Sequence, residues 1–348
     1  MLYNINNRTK MTSSIIHDNL HNRDMRLSEP ILIEDNTRFT QLPIKFKELQ
    51  DMYWIAESTF WSAKEIDYGA DLSDWETLSE DEKYFIENIL AFFAGSDGIV
   101  LENLMKNFCY EVKCSEARNF YAFQAMIENV HGMTYSLLLD TLVKDKKRKK
   151  QLFEAIDTIP AVAKKAKWAM KWLTNSNPFE ERLLAFAFVE GIFFSASFCS
   201  IFWLKSRNKM TKALGKSNEL ISRDESLHCQ FAILLYKHLN NKVSQNRVEE
   251  IIKEAVEIET EFIVDSIPCR LIGMNSELMS QYIKYVADRL LVQLGFKKLY
   301  YTENPFDFMK SFGLDAKTNF FEARVSEYQH SSTAKAVGDD CWDFGDEL

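Results

Sequence analysis

A chain of 348 residues with 46% hydrophobic and 27% charged residues has the balance of a globular protein and not of a disordered one. Its 26 Phe, 13 Tyr and 7 Trp can fill a large core, while only 11 Gly and 6 Pro disfavour turn-rich β architectures and suit long helices. A net charge of −9 argues against generic nucleic-acid binding.

Residues 1–28 read as a flexible polar arm without the apolar stretch of a secretory signal. Residues 29–46 are expected to be extended, with Pro30 and Pro43 as breakers. A helical pattern begins at Lys47. Ser79, Glu80, Asp81 and Glu82 spell a capping box, which predicts a long helix running through Asp97 to about Val112. A second long helix starts at Ser115 or its neighbour and ends near Val143. The basic run at 144–150 (KDKKRKK) reads as the solvated start of the next helix in preference to a nuclear signal. Further helices are expected over about 161–173, 180–206, 217–239, 246–267 and 276–294. Residues 304–312 form a short aromatic segment, and from about Ser331 the tail is polar, acidic and without helical period. No internal repeat and no glycine-rich phosphate loop is visible.

Residues 183–204 (LLAFAFVEGIFFSASFCSIFWL) are long and apolar enough to span a bilayer. No second segment of this kind is expected beside it, so it reads as the buried central helix of a bundle and not as a membrane span. The six cysteines, Cys109, Cys114, Cys199, Cys229, Cys269 and Cys341, show no CxxC spacing. Most of them read as reduced core residues of a reducing compartment, the cytoplasm.

Two segments carry Glu-x-x-His: Glu128 with His131, and Glu225 with His228. On a helix, i and i+3 share a face, so each pair can present a carboxylate and an imidazole to one metal ion. One such motif arises easily by chance. Two on apolar helices, in a chain with six histidines, are far more specific. Asp97 and Glu190 are further acids inside apolar helical runs, where an unpaired carboxylate costs several kcal/mol. An arginine such as Arg223 is one possible partner for either acid; metal ligation accounts for both. Four helices, two giving one carboxylate and two giving Glu-x-x-His, match the ligand logic of di-iron and di-manganese carboxylate bundles. Oxygen donors with imidazole suit Fe or Mn over thiolate-seeking metals.

Tyr135 lies four residues after His131 and shares its helix face. Glu190, Phe194 and Phe198 form an i, i+4, i+8 stripe that would wall the site with apolar rings. Such a stripe usually builds core, and here it can also keep a reactive oxidant dry. A phenol beside an oxygen-activating metal pair is a natural one-electron donor.

The motifs FFAGSDGIVLENL, FQAMIENVHGMTYSLL, VEGIFFSASFCSIFWLKSR and SNELISRDESLHCQFA resemble the small, radical-generating subunit of class I ribonucleotide reductase, of the eukaryotic and viral type. The similarity runs from about Glu57 to Tyr328. It implies an all-α, ferritin-like helical bundle enlarged with additional helices, with the metal site inside the central four. The layout would be an arm at 1–28, a di-iron domain at 29–330 and a docking tail at 331–348. Asp97, Glu128 and His131 would bind one iron and Glu190, Glu225 and His228 the other, with Glu128 and Glu225 bridging and Mn as the alternative metal. Tyr135 matches the radical tyrosine. Trp61 and Asp224 match the electron-transfer route to His131, Tyr328 the tail relay, and Phe194 and Phe198 the pocket phenylalanines.

The implied reaction uses diferrous iron and O₂ to oxidise Tyr135. The radical character then passes to a cysteine of a separate large subunit, which reduces ribonucleoside diphosphates. The small subunits would form a homodimer, with no nucleic acid or membrane as partner. The tail departs from the family, ending DDCWDFGDEL with Leu348 where relatives close on Phe. Trp342, Phe344 and Leu348 remain available as apolar anchors for the large subunit. Three rivals use the same ligands or fold: a di-iron oxygenase or desaturase, a ferritin-like iron store, and a paralogue without metal. The first lacks the phenol and the tail tyrosine. The second needs neither Trp61 nor Asp224. The third would lack ligands that this sequence has.

Overall fold

The computed structural model describes residues 29–34, 39–174, 176–266 and 275–312. Tyr328, Trp342, Phe344 and Leu348, the 1–28 arm, Cys269 and Cys341 lie outside the described residues. Among the described residues the regular structure is helical throughout, without a strand. The protein divides into one unit up to Pro305 and a second from Phe306.

In the first unit the principal helices are α1 (Lys47–Ser58), α2 (Leu72–Thr77), α3 (Glu80–Asn103), α4 (Ser115–Leu142), α5 (Lys146–Phe153), α6 (Ala155–Thr158), α7 (Pro160–Lys171), α8 (Phe179–Phe188), α9 (Ser195–Ser206), α10 (Leu214–Lys237), α11 (Gln245–Ser266) and α12 (Ser276–Gln293). The second unit contributes α13 (Asp307–Phe312), where the sequence suggested a short aromatic segment.

Helix starts follow local chemistry where a cap is near in sequence. The Ser79 side chain accepts from the Glu82 amide, and the Glu82 carboxylate accepts from the Ser79 amide, so both halves of the expected capping box form. Asp145 caps α5, Asn275 caps α12, and Pro160 occupies the first turn of α7. The start of α10 is different. Buried Asp71, far away in sequence, accepts from the amides of Lys212, Ala213 and Leu214 at 2.8–3.0 Å. That remote carboxylate begins α10 at Leu214, three residues before the sequence-predicted Ser217.

The long helices depart from a uniform α pitch in two places. After α3 the backbone passes through a π turn, Leu104–Phe108, and one last α turn to Glu111. Between α8 and α9 a second π turn, Val189–Phe193, carries Glu190. The sequence predicts one unbroken helix over 180–206, and the structure corrects this. The strict i, i+4, i+8 stripe from Glu190 to Phe198 is therefore broken, because a π turn advances by five residues per hydrogen bond.

Packing places α3 against α4, α1 against α4, and α8 and α9 against α10. The 179–206 helical run has 94% of its most apolar window buried inside the bundle. A second run, Glu80–Glu111, also passes the length and apolarity test for a membrane span, with 56% of its window buried. The expectation of a lone apolar segment is thus corrected. Two apolar helices cross the interior of one bundle, and both carry an acid in it.

Candidate metal centre

Four helical runs converge on one buried volume. Asp97 comes from α3, Glu128 and His131 from α4, Glu190 from the π turn between α8 and α9, and Glu225 and His228 from α10. All six are at most 3% exposed. Their donor atoms form two overlapping groups, Asp97/Glu128/His131 and Glu128/Glu190/Glu225/His228, each with its atoms within 4.8 Å of one another.

The two Glu-x-x-His glutamates have a shared geometry. Glu225 turns Oε1 to His131 Nδ1 at 3.0 Å and Oε2 to His228 Nδ1 at 3.0 Å. Glu128 turns Oε1 to His228 Nδ1 at 3.1 Å and Oε2 to His131 Nδ1 at 3.5 Å. Each carboxylate therefore spans both imidazoles, the disposition of a bridging ligand. Asp97 and Glu190 sit at opposite ends, one in each group.

Side chains around this cluster fix its members. Gln124 Nε2 donates to Glu190 Oε1 at 3.1 Å and to Glu128 Oε1 at 3.4 Å. Asp224 Oδ2 accepts from Trp61 Nε1 at 2.7 Å and faces His131 Nε2 at 3.2 Å. With Nε2 held there, His131 presents Nδ1 to the cluster, the usual arrangement of a carboxylate behind a metal-binding imidazole. The Trp61 ring stacks on His131 at a centroid distance of 6.0 Å. Arg223, a possible partner for Asp97 or Glu190, instead donates to Asp224 Oδ1 and to the Thr59 carbonyl.

The electrostatics are those of tightly packed carboxylates and imidazoles removed from water. Burial, reinforced by Glu128, pushes the Asp97 carboxyl well above its ordinary range; burial and Glu225 do the same to Glu190. Burial opposes a charge on the imidazoles. The surrounding carboxylates outweigh it, raising His228 to about 9 and His131 well above its usual value, the latter chiefly through Asp224. Burial likewise opposes charge on Glu225, yet His228 and His131 hold it below the usual carboxylate range. Asp97 Oδ2, Glu128 Oε2 and Glu190 Oε2 are buried without a hydrogen-bond partner. Orphaned oxygens of this kind are costly unless a cation takes them, and oxygen with imidazole donors fits Fe or Mn.

Tyr135 is 1% exposed, and its hydroxyl is buried without a hydrogen-bond partner. Burial, with Asp97 as the leading charge, pushes its phenol well above the ordinary value, so the ring keeps its proton. Phe93 stacks on it at 4.4 Å, and Phe198 and Phe194 pack on Phe93 at 5.0 and 5.7 Å. Phe194 and Phe198 thus lie behind Phe93. The sequence reading missed Phe93 and Gln124. Both were findable, since each lies four residues before a ligand candidate, Asp97 and Glu128 respectively, on the same helix face. Of the cysteines, Cys199 and Cys229 are buried, and Cys109 and Cys114 are half-buried; all four are free thiols.

This bundle and its cluster define a di-metal carboxylate helical protein. The model of the family "Ribonucleotide reductase, small chain" matches residues 38–305. A ribonucleoside-diphosphate reductase small subunit of Arabidopsis thaliana is 57% identical over 310 residues, covering 89% of this sequence and 93% of the relative. That of Variola virus is 57% identical over 301 residues, covering 86% and 94%. The Rnr4 homodimer of Saccharomyces cerevisiae superposes with a TM-score of 0.78 at 35% identity, covering 92% of this protein and 99% of that one. The protein belongs to the ribonucleotide reductase small-chain family and is a radical-generating small subunit of class I ribonucleoside-diphosphate reductase, which works with a large subunit.

Proposed function

We propose that the cluster holds two iron ions and that Tyr135 carries the radical this subunit delivers. Asp97 and His131 would hold the first ion, Glu190 and His228 the second, with Glu128 and Glu225 bridging. When bound, the iron pair with O₂ supplies the one-electron oxidising power that the Tyr135 phenol meets. The support for bridging is that Glu128 and Glu225 each give one oxygen to each imidazole.

The protein's own residues do the rest. Gln124 engages Oε1 of Glu190 and leaves Oε2 for a cation. Phe93, Phe194 and Phe198 exclude water from the phenol, which lengthens the life of an oxidised ring. The Trp61–Asp224–His131 contacts form a continuous path from the cluster to the indole. Tyr328, outside the described residues, would continue that relay towards the large subunit.

Adding Fe(II) and O₂ to the metal-free protein tests this reading. Two irons per subunit and a neutral tyrosyl signal in electron paramagnetic resonance are expected. Two irons without that signal would favour the oxygenase or iron-store alternative. Metal analysis of protein isolated from its cell separates Fe from Mn loading. The free thiols of Cys109 and Cys114 suit the cytoplasm, a reducing compartment.

The domain layout follows from the same reading: an arm at 1–28, a metal-binding domain at 29–330 and a docking tail at 331–348, in a homodimer of small subunits. Trp342, Phe344 and Leu348, in an acidic segment with no helical period, would anchor the tail in a groove of the large subunit. Deleting residues 338–348 should leave Tyr135 oxidation intact and remove nucleotide reduction. Full turnover by the truncated protein at equal subunit concentrations would send the search to another surface.

A further inference from the structure

Lys165 is a buried cation that none of the preceding chemistry uses. It projects from α7 and is 1% exposed. Its ammonium lies 2.6 Å from the Glu259 carboxylate of α11, also fully buried, and 3.3 and 4.1 Å from the ring centroids of Phe92 and Phe262. It also donates a hydrogen bond to the carbonyl of Phe193 at 2.7 Å. Phe193 is the last residue of the π turn that carries Glu190.

That turn is held from several sides. Ser195 Oγ donates to the preceding carbonyl, Ile192, at 2.7 Å. The two carbonyls where π pitch returns to α pitch are thus both engaged by side-chain donors. On another face, Gly191 lets α10 and α12 approach closely: a Cβ there would lie 2.6 Å from Leu290 Cδ1 and 3.0 Å from Cys229 Sγ. A π turn rotates the residues it carries relative to a plain α-helix, so whatever stabilises it also sets the direction of Glu190.

We propose that Lys165, assisted by Ser195, is a positioning clamp that holds the π turn and aims Glu190 at the second metal position. The proposal rests on the two-metal reading above. Glu259 is the counter-ion that makes the buried ammonium tolerable, and the bond to Phe193 is Lys165's own hold on the turn. A lone Lys165→Met would strand Glu259 without its partner, whereas replacing both members of a buried pair by apolar groups of similar volume is often neutral for stability.

The test is anaerobic equilibrium binding of Fe(II) and Mn(II) to the metal-free, full-length protein, with helicity and melting temperature followed by circular dichroism. The native protein is expected to bind two ions; if it does not, the two-metal reading fails and not the clamp. Lys165→Met/Glu259→Leu should fold and bind the first ion normally, with affinity for the second reduced by about 10- to 100-fold, the usual effect of losing an outer-shell support. Glu259→Gln, which keeps the Phe193 bond, should retain both ions. Native-like binding of both ions by the folded double variant overturns the proposal. So does an equal loss of the second ion in Glu259→Gln. Should the double variant fail to fold, Ser195→Ala gives the decision: a weaker second site supports the clamp, and unchanged binding of both ions overturns it.

Discussion

Replacing Tyr135 by Phe is expected to leave a folded protein that binds two metal ions and yields neither a stable radical nor nucleotide reduction. The structural side follows from the orphaned hydroxyl. Tyr135 Oη is buried and unpartnered, so removing it breaks no hydrogen bond and relieves a desolvation penalty of roughly 1–3 kcal/mol. Ring volume is nearly kept, and the stack on Phe93 at 4.4 Å survives. The variant should therefore melt at or above the native temperature. The functional side follows from the loss of the oxidisable phenol on the helix face of Glu128 and His131. Electron paramagnetic resonance after Fe(II) and O₂, together with turnover alongside the large subunit, provides the check. An unchanged radical signal would move the radical to another residue.

Trp61→Phe is the second variant with a large expected effect, and it separates making the radical from exporting it. Trp61 lies in the loop after α1, is 3% exposed, donates to Asp224 at 2.7 Å and stacks on His131. Phenylalanine retains an apolar ring in that place but has neither the N–H nor the readily oxidised indole. Asp224 keeps its two bonds to Arg223 and its contact with His131, so the imidazole stays aimed at the cluster. Iron binding and the Tyr135 radical should persist while turnover falls to background. A decline of less than about tenfold, equivalent to ~1.4 kcal/mol of activation free energy, would remove the indole from the route.

The parts of this centre that were legible in the sequence are those encoded by short spacings. Glu128 with His131 and Glu225 with His228 announce themselves because i and i+3 share a helix face. Asp97 and Glu190 stand out as acids in apolar runs. The capping box at Ser79 fixed the start of α3 to the residue. What escaped depends on contacts between distant segments. The start of α10 is set by Asp71, 143 positions before Leu214. The π turn at Val189–Phe193 is engaged by Lys165 and packed closely by Leu290, both distant in the sequence. Hydropathy along the sequence likewise singled out one apolar segment. The helix Glu80–Glu111 passes the same test, although the acids of its first turn and the polar residues along it make it look more ordinary by eye.

The 179–206 helical run has partners on both sides of it in the sequence: α3 and α7 precede it, and α10, α11 and α12 follow. A growing polypeptide on the ribosome therefore exposes its most apolar helix well before the segments that cover it exist. Until Gln293 has been synthesised, the run can bury only part of its circumference, and it satisfies by length and apolarity what a membrane insertion machine selects. The nascent segment carries a single charge among residues 183–204, Glu190, and the burial of that charge is complete only once the later helices have closed around it.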